Sequence, residues 1–228
     1  MNKLFITILC LAGFAAAQTT SGSTSQQHST TEKSAQTGTQ VTAEIDTTAG
    51  NIHCVLFPEK APLSVANFIG LSTGTKEWRN PSTGKMVKNT PLYSGTIFHR
   101  VIPGFMIQGG DPEGTGSGDP GYQIKDETSP DLRFDQAGRL AYANSGPNTN
   151  GSQFFITEAP ADYLSGHYSI FGQCQNVDIV KKIARLSRDT KDRPFEPPKI
   201  VKIIITDPRP PAKPASTPAK KSATPPKQ

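Results

Sequence analysis

Phe98-His99-Arg100-Val101-Ile102-Pro103-Gly104-Phe105-Met106-Ile107-Gln108-Gly109-Gly110-Asp111 is a Pro-Gly turn with apolar residues alternating into it from both sides. The pattern reads as two short strands joined by a tight turn. The turn lets Arg100 and Gln108 approach a shared surface that Phe105 and Met106 make apolar. A permanent cation beside an apolar slot suits a neutral substrate that carries both a carbonyl and a compact hydrocarbon ring.

Outward from this hairpin, strand signals dominate. Val41, Ala43 and Ile45 alternate with Thr42, Glu44 and Asp46, and Thr48-Ala49-Gly50 turns the chain into a second strand at 52–57. Further strands are expected at 95–100, 105–109, 139–143, 153–157, 169–172 and 200–205. Ala61-Pro62 opens a short helix with Val65, Phe68, Ile69 and Leu71 on one side. A second helix starts at the cap Asn176, with Val177, Val180, Ile183 and Ala184 as its apolar stripe. Asp178 stands near its start and Lys181, Lys182, Arg185 and Arg188 toward its end, the charge order a helix dipole favours. Many short strands, Gly/Pro turns and only two helices predict a mainly β domain, closed or nearly closed and antiparallel, because closure removes exposed strand edges.

The ends have a different composition. Residues 1–17 carry one lysine, an apolar run at 4–11 and Ala15-Ala16-Ala17 before Gln18, the pattern of a secretory signal peptide; an uncleaved anchor is the alternative. Residues 18–40 are Ser, Thr, Gln and Gly with almost nothing to bury, so a disordered tether is expected. Residues 207–228, rich in Pro, Lys and Ala, predict an extended solvated tail, which leaves 41–206 as the folded domain. Export is therefore expected, to the periplasm first and to the medium as the alternative, with no membrane span once the signal is removed.

The net charge of +5 lies outside that domain: the tail holds +4 and the first 40 residues +1, so 41–206 is neutral. Nucleic-acid binding by the domain is not expected, and no basic stripe with interleaved aromatics points to it. The basic tail is a candidate contact for anionic envelope components, a plain spacer being the simpler reading. A monomer is expected. Cys54 and Cys174 remain after signal removal; one disulfide and two buried free thiols are both open.

Several chemistries lack their residues. The segment Glu113-Gly114-Thr115-Gly116-Ser117-Gly118-Asp119 runs into Pro120-Gly121 rather than a helix, so it is no dinucleotide loop. It also lacks the ligand order of a helix-loop-helix calcium site, and a flexible rim loop is the favoured reading. Ser152 is in no Gly-x-Ser-x-Gly elbow and the four histidines have no paired metal spacing, so neither a hydrolase nor a metal or cofactor site is expected.

The second constellation is Ala141-Tyr142-Ala143-Asn144-Ser145-Gly146-Pro147-Asn148-Thr149-Asn150-Gly151-Ser152-Gln153-Phe154-Phe155-Ile156-Thr157, followed by Asp162-Tyr163-Leu164 and Phe171-Gly172. Together with 98–111, these stretches closely resemble the cyclophilin family of peptidyl-prolyl cis-trans isomerases, over 41 to about 206. The resemblance implies a closed eight-stranded antiparallel barrel capped by two α-helices, with a substrate groove on its outer face. It implies that Arg100 is the catalytic arginine, and that Phe105, Met106, Phe155 and Leu164 form the proline pocket. Gln108, Ala143, Asn144 and Gln153 would hold the substrate backbone, while His99 and Gly114 would line the groove further out.

Two departures from the family pattern matter. Tyr163 stands where eukaryotic members often carry tryptophan, which argues against strong cyclosporin binding; Tyr168 stands where many members have histidine, with His167 shifted by one. The stretch 75–93, with Trp78 and Lys85-Met86-Val87-Lys88, looks like an extension seen in bacterial relatives. The expected partner is a proline-containing polypeptide. An exported proline-binding module with incidental catalysis is the rival reading, and a disrupted arginine or pocket would favour it; here both are intact.

Overall fold

The computed structural model describes residues 40–209; the expected signal peptide, the expected tether up to Thr39 and the tail beyond Arg209 lie outside the described residues. Ten strands and two helices follow in the order β1 (Thr42–Thr47), β2 (Gly50–Leu56), α1 (Pro62–Thr73), β3 (Trp78–Arg79), β4 (Met86–Val87), β5 (Arg100–Ile102), β6 (Met106–Gly109), β7 (Arg139–Tyr142), β8 (Phe154–Thr157), β9 (Ile170–Cys174), α2 (Val177–Ala184) and β10 (Ile200–Thr206). Eight strands form one antiparallel sheet in the order β10-β1-β2-β9-β7-β8-β6-β5, and β3 pairs with β4 alone.

The sheet is mainly the one expected, but it does not close: β5 and β10 are edge strands of an open half-barrel. Across the seam run one bridge, Ile97 to Lys199, and three backbone hydrogen bonds joining 95–98 to 198–200. Pairing cannot extend there because Gly95 adopts a left-handed φ of 88° and Pro197 and Pro198 lack the N–H a ladder needs. For the same reason the strand expected at 95–100 begins only at Arg100.

Period-two alternation gives the sheet two buried faces. Val101, Ile107, Leu140, Tyr142, Phe154, Ile156 and Phe171 point to the main core, where they meet Phe68 of α1 and Val180 and Ile183 of α2. Met106, Ala141, Phe155 and Ile170 point the other way and pack with Leu132, Phe134 and Ala161 in a second cluster. A sheet built this way is tightly specified in register, since a one-residue slip would exchange its two apolar sets.

Neither helix is capped by the side chain of its own N-cap residue. Ala61 supplies no capping side chain to α1; the Glu127 carboxylate accepts from Leu63 N at 2.9 Å and Ser64 N at 2.7 Å instead. Gly74 ends this helix in the left-handed region, φ 77°. Asn176 does not cap α2 with its side chain as expected: its Oδ1 accepts from His53 N at 2.8 Å, tying the helix start to β2. Also on β2, Cys54 is the cross-strand partner of Cys174 on β9, and their sulfurs are joined. Among the described residues no helix is long and apolar enough to cross a membrane.

Candidate functional site

Strand register builds one row across four strands. Arg100 is opposite Gln108, Gln108 is opposite Phe155, and Phe155 is opposite Ala141. All four share the outer face, because their strand neighbours Val101, Ile107, Phe154 and Leu140 occupy the main core. Gly104 closes the β5–β6 turn at φ 74°, a conformation that costs glycine nothing. The turn is braced by Glu158, whose carboxylate accepts from Gly104 N at 2.7 Å.

Over this row lies a hollow of about 200 Å³ lined by Arg100, Phe105, Met106, Gln108, Ala143, Asn144, Phe155, Leu164 and Tyr168. Its floor is rigid. The Phe155 ring stacks on Phe134 with centroids 5.6 Å apart and meets Tyr168 edge-on at 5.5 Å. Tyr163 is 71% exposed, its ring 6.0 Å from Phe105 at the rim.

A polar chain runs from the cation into a second hollow. Arg100 Nη1 lies 3.5 Å from Gln108 Oε1, and Gln108 Nε2 donates to Gln153 Oε1 at 2.9 Å. Gln153 Nε2 in turn donates to the carbonyls of Gly116 at 3.1 Å and Gly118 at 2.9 Å. The second hollow, about 390 Å³, shares Gln108, Ala143 and Asn144 with the first and continues along Gln153, Ser117, Asp119 and Thr149. Asn144 Nδ2 donates to His167 O at 3.1 Å, and Ala143 N to Gln153 O at 2.9 Å.

The structure brings together nearly every residue expected at the site, with three exceptions: His99, Gly114 and the exposed Tyr163 line neither hollow. His99 precedes Arg100 and so cannot share its face; it is only 5% exposed, with no hydrogen-bond partner on either ring nitrogen. Burial pushes its pKa down, with Arg193 and Arg100 adding to the effect and Asp111 opposing it. Gly114 instead packs toward Ile97, and its carbonyl accepts from Arg193.

Residues the sequence reading passed over complete the surround. Asp111 is fully buried, and its carboxylate accepts from the N–H groups of Glu113, Gly116 and Gly118 at 2.7, 2.6 and 3.1 Å. The rim loop is thereby anchored rather than loose, which fixes the carbonyls that hold Gln153. The β3–β4 hairpin supports the same rim from outside, through Arg79 N to Pro120 O at 2.8 Å. Among the described residues no group of three or more His, Cys, Asp or Glu is arranged to hold a metal ion.

A fold of this kind, with a lone guanidinium beside an aromatic-floored hollow, places the chain in a recognisable class. Residues 41–205 match the family model "Cyclophilin type peptidyl-prolyl cis-trans isomerase/CLD". Peptidyl-prolyl cis-trans isomerase A of Mycobacterium tuberculosis (strain H37Rv) is 47% identical over 170 residues, covering 72% of this chain and 92% of that one. Peptidyl-prolyl cis-trans isomerase B of Streptomyces anulatus is also 47% identical, over 171 residues, 73% of this chain and 97% of its own. Among solved structures, a cyclophilin-type isomerase from Cryptosporidium parvum superposes with a TM-score of 0.63 at 35% identity, covering 74% of this chain and 98% of that one. A second crystal structure of that protein, in the presence of the dipeptide Ala-Pro, gives 0.62 at 35% identity, covering 73% and 99%. The chain belongs to the cyclophilin family and is a peptidyl-prolyl cis-trans isomerase.

Proposed function

We propose that this isomerase acts on X-Pro bonds of exported polypeptides, assisting their folding, with Arg100 as the group that stabilises the twisted prolyl amide. The supporting observation is the position of the Arg100 guanidinium at the wall of a hollow floored by Phe155 and edged by Phe105, Met106 and Leu164. A proline ring fits the apolar part, as the Ala-Pro dipeptide used with the Cryptosporidium relative accords with.

Rotation about an X-Pro bond is slow because it breaks amide resonance, at a barrier of about 18–20 kcal/mol. As conjugation is lost the prolyl nitrogen pyramidalises and regains a lone pair that neither planar isomer offers. Arg100 can donate to that lone pair; being always protonated, it offers the hydrogen bond without giving up the proton. Such a bond forms only in the twisted state, which is the condition for lowering the barrier rather than merely binding substrate. Gln108, Asn144 and Gln153 would hold the flanking backbone while the preceding carbonyl swings. A hundred-thousand-fold acceleration asks for about 7 kcal/mol, within reach of a charged hydrogen bond, desolvation and fixed geometry together. No proton is transferred, so buried His99 has no acid-base part.

Support for export comes from the apolar run at 4–11 with small residues before Gln18, and from a joined Cys54–Cys174 pair, which suits an oxidising compartment. The protein would act as a monomer, with the tail's +4 charge available to anionic envelope components. The test is magnetic-resonance exchange on an Ala-Pro peptide with substoichiometric protein, paired with cell fractionation. Catalysed exchange and an extracytoplasmic pool are expected. An uncatalysed exchange rate, or a wholly cytoplasmic pool, would overturn the corresponding half of the proposal.

A further inference from the structure

The geometry points to Asp192 as a positioning residue for Arg100, a role that rests on the reading of Arg100 as the group acting on the prolyl amide. Asp192 lies 92 positions away in sequence, on the strap 187–195 that follows α2. The strap is folded on itself: Asp189 N donates to Arg193 O at 2.9 Å, and Asp189 Oδ1 accepts from Lys191 N at 2.8 Å and Arg193 N at 2.9 Å. This turn holds Asp192 in the left-handed region at φ 64°.

Backbone and side chain of Asp192 then both reach the strand that carries Arg100. Its carbonyl accepts from Val101 N at 2.8 Å, so the strap is stitched to the free edge of β5 beside the arginine. Its carboxylate lies between two guanidinium groups: Oδ2 is 4.0 Å from Arg100 Nε, and Oδ1 accepts from Arg188 Nε at 3.2 Å. The next residue, Arg193, donates to Gly114 O, fastening the strap to the rim loop as well.

Arg100 is thus flanked on two sides. Asp192 faces its Nε edge and Gln108 Oε1 faces Nη1, which leaves the remaining N–H groups of the fork for a substrate. An arginine side chain has several free torsions, and a donor that must meet a transient lone pair gains from losing that freedom beforehand. The carboxylate also offsets the mutual repulsion of Arg100 and Arg188. Both members of the Arg100–Asp192 pair are about a third or more exposed, so the contact adds little to stability and its effect falls on orientation.

The test is Asp192→Asn, which keeps shape and tolerates the left-handed backbone while removing the charge. On an X-Pro tetrapeptide, kcat is expected to fall about tenfold with KM within about twofold, and the Arg100 Nε–H resonance to shift, at an unchanged melting temperature. In the Arg100→Ala background the same change is expected to alter kcat by less than about twofold. If Arg100→Ala loses activity but Asp192→Asn turns over like wild type, the positioning role is overturned and the reading of Arg100 stands. Wild-type-like turnover by Arg100→Ala overturns both. Equal losses from Asp192→Asn in the two backgrounds overturn the role in favour of a general structural one.

Discussion

Arg100 and Gln108 are cross-strand partners on the β5–β6 hairpin, with Nη1 of one 3.5 Å from Oε1 of the other. Gln108 orients the cation without neutralising it, since an amide oxygen accepts a hydrogen bond but carries no charge. The same amide passes its N–H to Gln153, so the orientation of Arg100 is tied to the anchored loop at 111–118.

Gln108→Glu is therefore expected to harm catalysis more than Gln108→Ala. A carboxylate at this position would pair with the guanidinium and compete with the prolyl nitrogen for it; a charged hydrogen bond of about 1.5–3 kcal/mol corresponds to roughly 10- to 100-fold in kcat/KM. Steady-state kinetics of the two variants measure the difference. A Glu variant as active as the Ala variant would show that Gln108 does not govern the availability of Arg100.

Phe155 forms the floor of the hollow and packs on Phe134 and Tyr168. Phe155→Ala is expected to cost about 3 kcal/mol in stability, the low end for a buried aromatic because one face already borders the hollow. Urea denaturation reads this directly, and KM for a proline peptide is expected to rise alongside. A loss below about 1 kcal/mol would show that the second cluster collapses around the gap.

His99 sets an acid limit on stability. Its folded pKa is lowered from 6.5, first by burial, so the unfolded chain takes up the proton more readily. Stability linked to this group is complete above pH 6.5 and is lost as pH falls from there toward the folded value. The melting temperature is expected to drop as pH falls below about 6.5, and to drop less in His99→Gln. Equal slopes for the two proteins would remove His99 from the acid response.

The Cys54–Cys174 bond closes a separation of 120 residues, which on a chain-entropy account stabilises the fold by about 4–5 kcal/mol. Reductant is expected to lower the melting temperature of the wild type but not of the paired Cys54→Ala, Cys174→Ala variant. An unfolding curve insensitive to reductant would contradict that contribution.

What was legible in the sequence was whatever strand periodicity and turn chemistry could carry. Arg100 and Gln108 flank a Pro-Gly turn closely enough that alternation alone puts them on one face, and Phe155 follows from the next hairpin in register. Contacts between distant segments left no such trace. Glu127 caps a helix 63 positions away, and Asp192 reaches Arg100 only because a self-bonded turn holds it in a left-handed conformation. Asn176 looks like a helix cap, yet its side chain serves the neighbouring strand, because β2 passes close enough to compete for it. The barrel seam stayed open because of local chemistry: Pro197 and Pro198 were visible, but which strand would face them was not. The β3–β4 hairpin has two residues per strand, too few for any period to register.

Stabilisation of the twisted amide by Arg100 is tested most directly by the isomerisation rate of an Ala-x-Pro tetrapeptide with wild type and Arg100→Ala, alongside circular dichroism of both. In the variant kcat/KM is expected to fall by about 100-fold or more while the spectrum and the melting temperature are kept. Wild-type-like turnover by a folded Arg100→Ala protein would contradict it.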